Sequence, residues 1–160
     1  MDQSRKINSF RLRANNANLS NAISSLTCSS FTKVSIKPKR NKILVGDLNI
    51  APLEHDVWSH KQLINVVSHT PIETEALLEL IKTGSWIDVM REFVPQNEKL
   101  YSWWSYRNRN WEISNRGRRL DHFWVTKNLF PQVKSGVIYK EIRSWERPSD
   151  HVPIVVDIDI

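Results

Sequence analysis

Ile43-Leu44-Val45-Gly46-Asp47-Leu48-Asn49 marks the point at which this chain changes character. A continuous apolar run that stops at Gly-Asp is the pattern of a short strand buried on both faces. Its carboxylate, Asp47, then stands at the C-terminal end of the strand, on the loop side of a sheet. All seven tryptophans and all four glycines of the 160-residue chain lie beyond Lys42.

Downstream, Thr70-Pro71-Ile72-Glu73 combines an N-cap, a proline at the first helical position and a capping-box glutamate. Ile72, Ala76, Leu77, Leu80 and Ile81 follow on one helical face, and Gly84 is placed to close the helix as its C′ residue. Four strand-like runs come next, Tyr101–Ser105, Leu120–Thr126, Val137–Ile142 and Val152–Ile158, separated by turns rich in Asn, Arg, Gly or Pro. The expected class is α/β, with more strand than helix and no internal repeat.

Upstream, residues 1–41 hold fourteen Asn and Ser, no Gly and no Trp, and their apolar residues follow neither a strand nor a helix period. This composition predicts a basic, weakly ordered leader over residues 1–41 and a folded domain over residues 42–160. Arg5, Lys6, Arg11 and Arg13 among Ser and Asn also fit an organellar transit peptide.

The formal net charge of +6 resembles a nucleic-acid signature until its distribution is read. Residues 1–41 carry eight basic residues and one acid, whereas residues 42–160 carry fifteen basic and sixteen acidic ones, a net of −1. Overall charge therefore gives no argument for DNA binding by the folded part. One local patch remains: Arg107, Arg109, Arg116, Arg118 and Arg119 lie within thirteen residues, opposed only by Glu112, and suit phosphate. A single cysteine, Cys28, excludes an internal disulfide framework and points to a reducing compartment. The histidines show no Cys/His zinc spacing, and no apolar run of about 18 residues is present to span a membrane.

Three motifs set polar groups where a loop meets an apolar strand: Gly46-Asp47-Leu48-Asn49, Arg119-Leu120-Asp121-His122 and Pro148-Ser149-Asp150-His151. Each alone is as well explained by a turn cap or a solvated strand residue. Together they supply what phosphodiester hydrolysis requires: hard oxygen ligands for Mg²⁺, and a histidine oriented by a carboxylate as base. Asp121 and His151 are the candidates for that pair. Adjacent side chains of an extended chain point to opposite sides, so Asp150 is freer to reach a metal.

Four motifs in order, Gly46-Asp47-Leu48-Asn49-Ile50-Ala51-Pro52, Tyr101-Ser102-Trp103-Trp104-Ser105-Tyr106-Arg107, Asn115-Arg116-Gly117-Arg118-Arg119-Leu120-Asp121 and Ser149-Asp150-His151-Val152-Pro153, resemble the exonuclease III/AP endonuclease branch of the endonuclease/exonuclease/phosphatase superfamily. The resemblance implies a hydrolase dependent on Mg²⁺ (or Mn²⁺) that incises double-stranded DNA at abasic sites and trims 3′ ends in base excision repair. It also implies the C-terminal half of a four-layer α/β/β/α sandwich. By motif, His151 would act on the attacking water or stabilise the transition state, oriented by Asp121. Asp47 would handle the nucleophile or leaving-group proton, Asn49 would hold the phosphate and Asp150 would help hold the metal. Trp103 would line the sugar pocket with Arg107 and Arg116 on the backbone nearby. Of Trp103 and Trp104, at alternating strand positions, at least one ring belongs to the core.

The N-terminal half of such an enzyme, with its metal-binding glutamate and phosphate-pocket tyrosine, has no counterpart: residues 1–41 contain no glutamate, and Tyr101 is the first tyrosine. The expectation is a chain truncated or frame-disrupted near residue 41, with an exposed sheet face and weakened Mg²⁺ binding. It would act alone or with a separately encoded N-terminal half. Two alternatives stay open, a non-catalytic remnant that binds nucleic acid and a phosphoester hydrolase of the same superfamily with another substrate. The resemblance implies a bacterial cytoplasmic location.

Overall fold

A computed structural model describes residues 40–159 of the chain. The expectation for the leader therefore lies outside the described residues, apart from Arg40 and Asn41. Three strands, β1 (Ile43–Asp47), β2 (Trp86–Asp88) and β5 (Asp121–Thr126), form an antiparallel sheet in the order β1-β5-β2. Trp103–Trp104 (β3) and Gly117–Arg118 (β4) pair as a short ribbon, and Val133–Ile138 (β6) and Ile154–Ile158 (β7) as a second antiparallel pair. The helices are short, α1 (His60–Leu63), α3 (Val89–Phe93) and α4 (Trp111–Ser114), except for the 13-residue α2 (Pro71–Thr83). No helix among the described residues is long and apolar enough to cross a membrane.

Alternation along β5 builds the core on two sides. Trp124, fully buried, packs with Ile50 and with Leu77 of α2, while Val125 on the opposite face packs with Val89 and Leu129. The β6-β7 pair joins the second cluster through Val133, Val156 and Ile158, so one sheet lies against another. Burying a side chain such as Leu77 contributes roughly 1.5–3 kcal/mol.

Helix α2 starts as its sequence predicts, with Thr70 as N-cap and Pro71 first, and the Glu73 carboxylate accepts hydrogen bonds from Thr70 N (3.1 Å) and Oγ1 (2.7 Å). Its end differs. Gly84 keeps a right-handed helical conformation (φ −75°), and the left-handed residue is Ser85 (φ 52°). Glycine stands at position 84 because a Cβ there would meet the Trp86 ring at 2.4 Å. Ile72 is 80% exposed, since the cluster that receives the helix meets only Leu77, Leu80 and Ile81.

Strand β1 is also corrected: among the described residues it is an edge strand, covered on one face. Leu44 turns toward Trp124, but Ile43 and Val45 are exposed because the β6-β7 layer packs on Ile87, Phe123 and Val125 instead. The run Val137–Ile142 is strand only to Ile138; the strand begins earlier, at Val133, and Lys140–Ser144 forms a 3-10 turn.

Arg119 departs furthest from the surface patch expected for it. Its side chain is fully buried, donating from Nε and Nη2 to the two oxygens of Asp56 (both 2.8 Å) and from Nη1 to Asp88 Oδ2 (2.6 Å). Asp56 also accepts from Arg91 and from Leu53 N. Burial pushes the Asp56 carboxyl up, but Arg119 and Arg91 outweigh it and hold the pKa below the ordinary value. His122 lies against this cluster in neutral form: Nε2–H donates to Ile50 O (2.8 Å), leaving Nδ1 to accept from Arg119 Nη1 (3.3 Å). Burial, followed by the Arg119 charge, pushes its pKa down to about 4.

Asp56→Ala removes the carboxylate shared by Arg91 and Arg119 and leaves Arg119 only Asp88, and urea unfolding should read a loss of about 3–5 kcal/mol. Acid should also destabilise the fold. Unfolding restores His122 to its ordinary value of 6.5, so the stability from the neutral ring is present above 6.5 and lost as pH falls toward about 4. The urea midpoint is expected to drop across that window, and a flat midpoint would mean that the ring is not held neutral.

Candidate active site

The register of the central sheet assembles the site. Antiparallel pairing of β1 with β5 sets Asp47, the last residue of one strand, directly opposite Asp121, the first of the other. Gly46 just before it has φ +154°, a conformation that L side chains rarely adopt. Past the strand, Asn49 turns left-handed (φ 55°), and its backbone N and its Nδ2 donate to Asp47 Oδ1 (3.0 Å) and Oδ2 (3.2 Å). Such turns suit asparagine, and this one fixes the carboxylate.

His151 arrives from the other direction. A bridge between Trp103 and His151, and hydrogen bonds from Trp104 N to Asp150 O (2.9 Å) and from Val152 N to Ser102 O (2.8 Å), lay this segment along β3. The imidazole Nδ1 meets Asp121 Oδ2 at 2.8 Å, and Nε2 lies 3.8 Å from Asp47 Oδ2. Asp47, Asp121 and His151 thus form one cluster whose ligand-type atoms lie within 4.8 Å of one another.

Burial lowers the imidazole pKa, but the Asp121 hydrogen bond and charge, with Asp47 and Asp150, outweigh it and raise the value above 6.5. Asp47 is raised as well, first by burial and then by the charge of Asp121. The carboxylates repel one another, a situation that a hard divalent cation relieves. Asp121 Oδ2 already holds His151 and a 2.7 Å bond from Ser102 Oγ, which leaves Asp121 Oδ1, the Asp47 carboxylate and nearby Asp150 as oxygen donors. Mg²⁺ takes few protein carboxylates and keeps its waters, so this donor set fits such an ion.

Asp150 accepts a hydrogen bond from Trp103 Nε1 at 3.0 Å, which ties the cluster to a neighbouring cleft. That cleft, of about 470 Å³, brings together Trp103, Arg107 and Arg116, the three residues assigned to substrate from sequence. Trp104 is the core ring of the pair, 1% exposed.

Two contributors were missed, Ser102 and Trp58, and Arg118 was read only as one member of the arginine patch. Ser102 is completely buried; its Oγ accepts from Leu120 N (3.1 Å) and Asp121 N (3.0 Å) while donating to the Asp121 carboxylate. Only its place beside Trp103 signalled it. Arg118 lines the cleft, anchored to Val67 O (2.9 Å) and Ser68 Oγ (2.6 Å). Trp58 forms another part of the wall. It comes from a segment with no motif of its own.

The chain matches the model of the endonuclease/exonuclease/phosphatase family over residues 28–151. The exodeoxyribonuclease of Bacillus subtilis is 33% identical over 127 residues, 79% of this chain and 48% of that protein. The DNA repair nuclease APEX1 of Danio rerio is 34% identical over 114 residues, 71% of this chain and 35% of that protein. The AP endonuclease structure from Archaeoglobus fulgidus superposes with a TM-score of 0.74 at 25% identity, covering 90% of this chain and 53% of that one. The fold is therefore the mixed α/β fold of these nucleases, and the chain spans at most about half the length of the curated relatives it matches.

In metal-free protein, NMR titration should place the His151 midpoint above 6.5. Asp121→Asn removes the hydrogen bond and charge that chiefly raise it while burial stays, so the midpoint should fall. An unmoved midpoint would break the assigned pairing.

Proposed function

The chain belongs to the endonuclease/exonuclease/phosphatase family, and on that premise we propose that it is an exonuclease III-type phosphodiesterase, incising duplex DNA at abasic sites and trimming 3′ ends in base excision repair. The observation that carries this reading is the His151–Asp121 pair facing Asp47 beside a cleft walled by tryptophan and arginine.

In the proposed reaction the phosphate rests against His151 and Asp47, with Asn49 Nδ2 turning to one of its oxygens. Asp121 holds the proton on Nδ1, which leaves the Nε2 lone pair toward the substrate. Water attacks phosphorus and gives its proton to Nε2. The P–O bond to the leaving sugar breaks as Asp47, whose carboxyl is raised above its ordinary value chiefly by burial, hands a proton to the departing oxygen. Asp150 would help hold Mg²⁺, which when bound would neutralise charge on the phosphate. Trp103 receives the baseless sugar, and Arg107 and Arg116 take backbone phosphates. Ser102 acts through Asp121 as a positioning residue.

Incubation with a duplex carrying one abasic site, with Mg²⁺ or with EDTA, tests the reading. Mg²⁺-dependent nicking is expected, and His151→Ala should lower it roughly 10²–10⁴-fold. No cleavage from chain shown by circular dichroism to be folded would overturn the enzyme and leave a DNA-binding remnant.

A further inference from the structure

Trp58 stands across the cleft from Trp103, outside the motifs that carry the catalytic cluster. Its backbone is pinned to the ribbon: Trp58 N donates to Gly117 O (3.1 Å), and Val57 bridges to Arg118. Part of the ring packs on two buried clusters, one around Val57 and Leu120 and the other around Trp104. Its remaining surface faces the cleft. There the Arg116 guanidinium sits 4.7 Å from the ring centroid, and Arg116 makes no hydrogen bond or ion pair among the described residues. Arg118, by contrast, is bonded to Val67 O and Ser68 Oγ and lies 5.8 Å from the Trp103 ring.

We propose that Trp58 is a nucleobase-stacking residue covered by Arg116 in the free protein, so that the cleft binds one nucleotide unit next to the scissile phosphate. This rests on the phosphodiesterase reading and adds a specificity-determining residue to it. The cleft opens beside the catalytic imidazole, because Trp103 is bridged to His151 and hydrogen-bonded to Asp150. Its volume of about 470 Å³ falls within the range of small-ligand sites. An anchored indole with one accessible surface suits a planar base of any sequence, since every base has a π-face. Stacking a base on an aromatic ring outweighs an exposed cation–π contact, so an incoming base displaces Arg116. The released guanidinium then meets the phosphate of the same nucleotide, and ring and charge are recognised together. A protein or lipid ligand gains nothing from that pairing.

The probe is an abasic duplex with 2-aminopurine beside the lesion, titrated in EDTA so that nothing is cleaved. Fluorescence quenching on binding is expected in the wild type and in Trp58→Phe. Trp58→Leu, which keeps apolar bulk in the two clusters, should lose the quenching and bind about tenfold more weakly. With Mg²⁺, Trp58→Leu should raise KM far more than it lowers kcat. Arg116→Gln should keep the quenching but shallow the salt dependence of binding by about one ion. Equal quenching and affinity in wild type and Trp58→Leu would overturn the stacking role while leaving the nuclease reading intact. A folded wild type that binds DNA with quenching but does not nick it would support the stacking role and overturn the nuclease. A folded wild type that binds no DNA would overturn both.

Discussion

The buried pairing of Arg119 with Asp56 is the interaction on which the rest of this structure depends. Both side chains are completely buried, and a charge in that position is tolerable only when its hydrogen bonds are met. Arg119 meets Asp56 with two parallel bonds and Asp88 with a third, while Arg119 N donates to Asp56 O at 2.7 Å. One residue thereby ties together the turn after β1, the end of β2, helix α3 through Arg91 and the start of β5. Asp121 follows Arg119 by two positions, so the carboxylate that orients His151 starts from a point that cannot slide.

This pairing explains why the sequence was legible in some places and opaque in others. Asp47, Asp121 and His151 were readable because each sits at a strand end, where a polar group after an apolar run has few structural reasons to be there. Helix α2 was readable because its cap residues are local chemistry. Asp56 lies in Glu54-His55-Asp56, which reads as an acidic loop, and Arg119 closes an arginine-rich run that reads as surface. Their partnership spans 63 positions and leaves no periodic trace. Ser102 and Trp58 were hidden for the same reason, since their roles come from β3, β4 and the turn at Val57 meeting in space. The burial of β1 was misjudged because a run of three apolar residues does not say how many layers cover it.

The site also works through a contrast in charge. Asp47, Asp121 and Asp150 gather negative charge at one end, which adds to burial in raising Asp47 and outweighs burial in raising His151. Next to it the cleft presents Arg107, Arg116 and Arg118. On the proposed reading, a phosphodiester backbone would be attracted by the cleft and repelled by the carboxylates. Its chain would then rest on the arginines and reach the acidic end at one phosphate, where a bound cation would offset the repulsion.

Facing two carboxylates across a strand pair opposes folding, and the core is what overrides that opposition. The register that sets Asp47 against Asp121 also sets Leu44 against Trp124. A slip of one residue would move Trp124 out of its contact with Leu77 and Ile50 and turn His122 away from Ile50 O. Losing one large buried ring costs about 3–5 kcal/mol, more than separating two like charges opposed across a strand pair returns. The geometry of the site is thus enforced from inside the sheet, by a tryptophan and a neutral histidine that never touch the substrate.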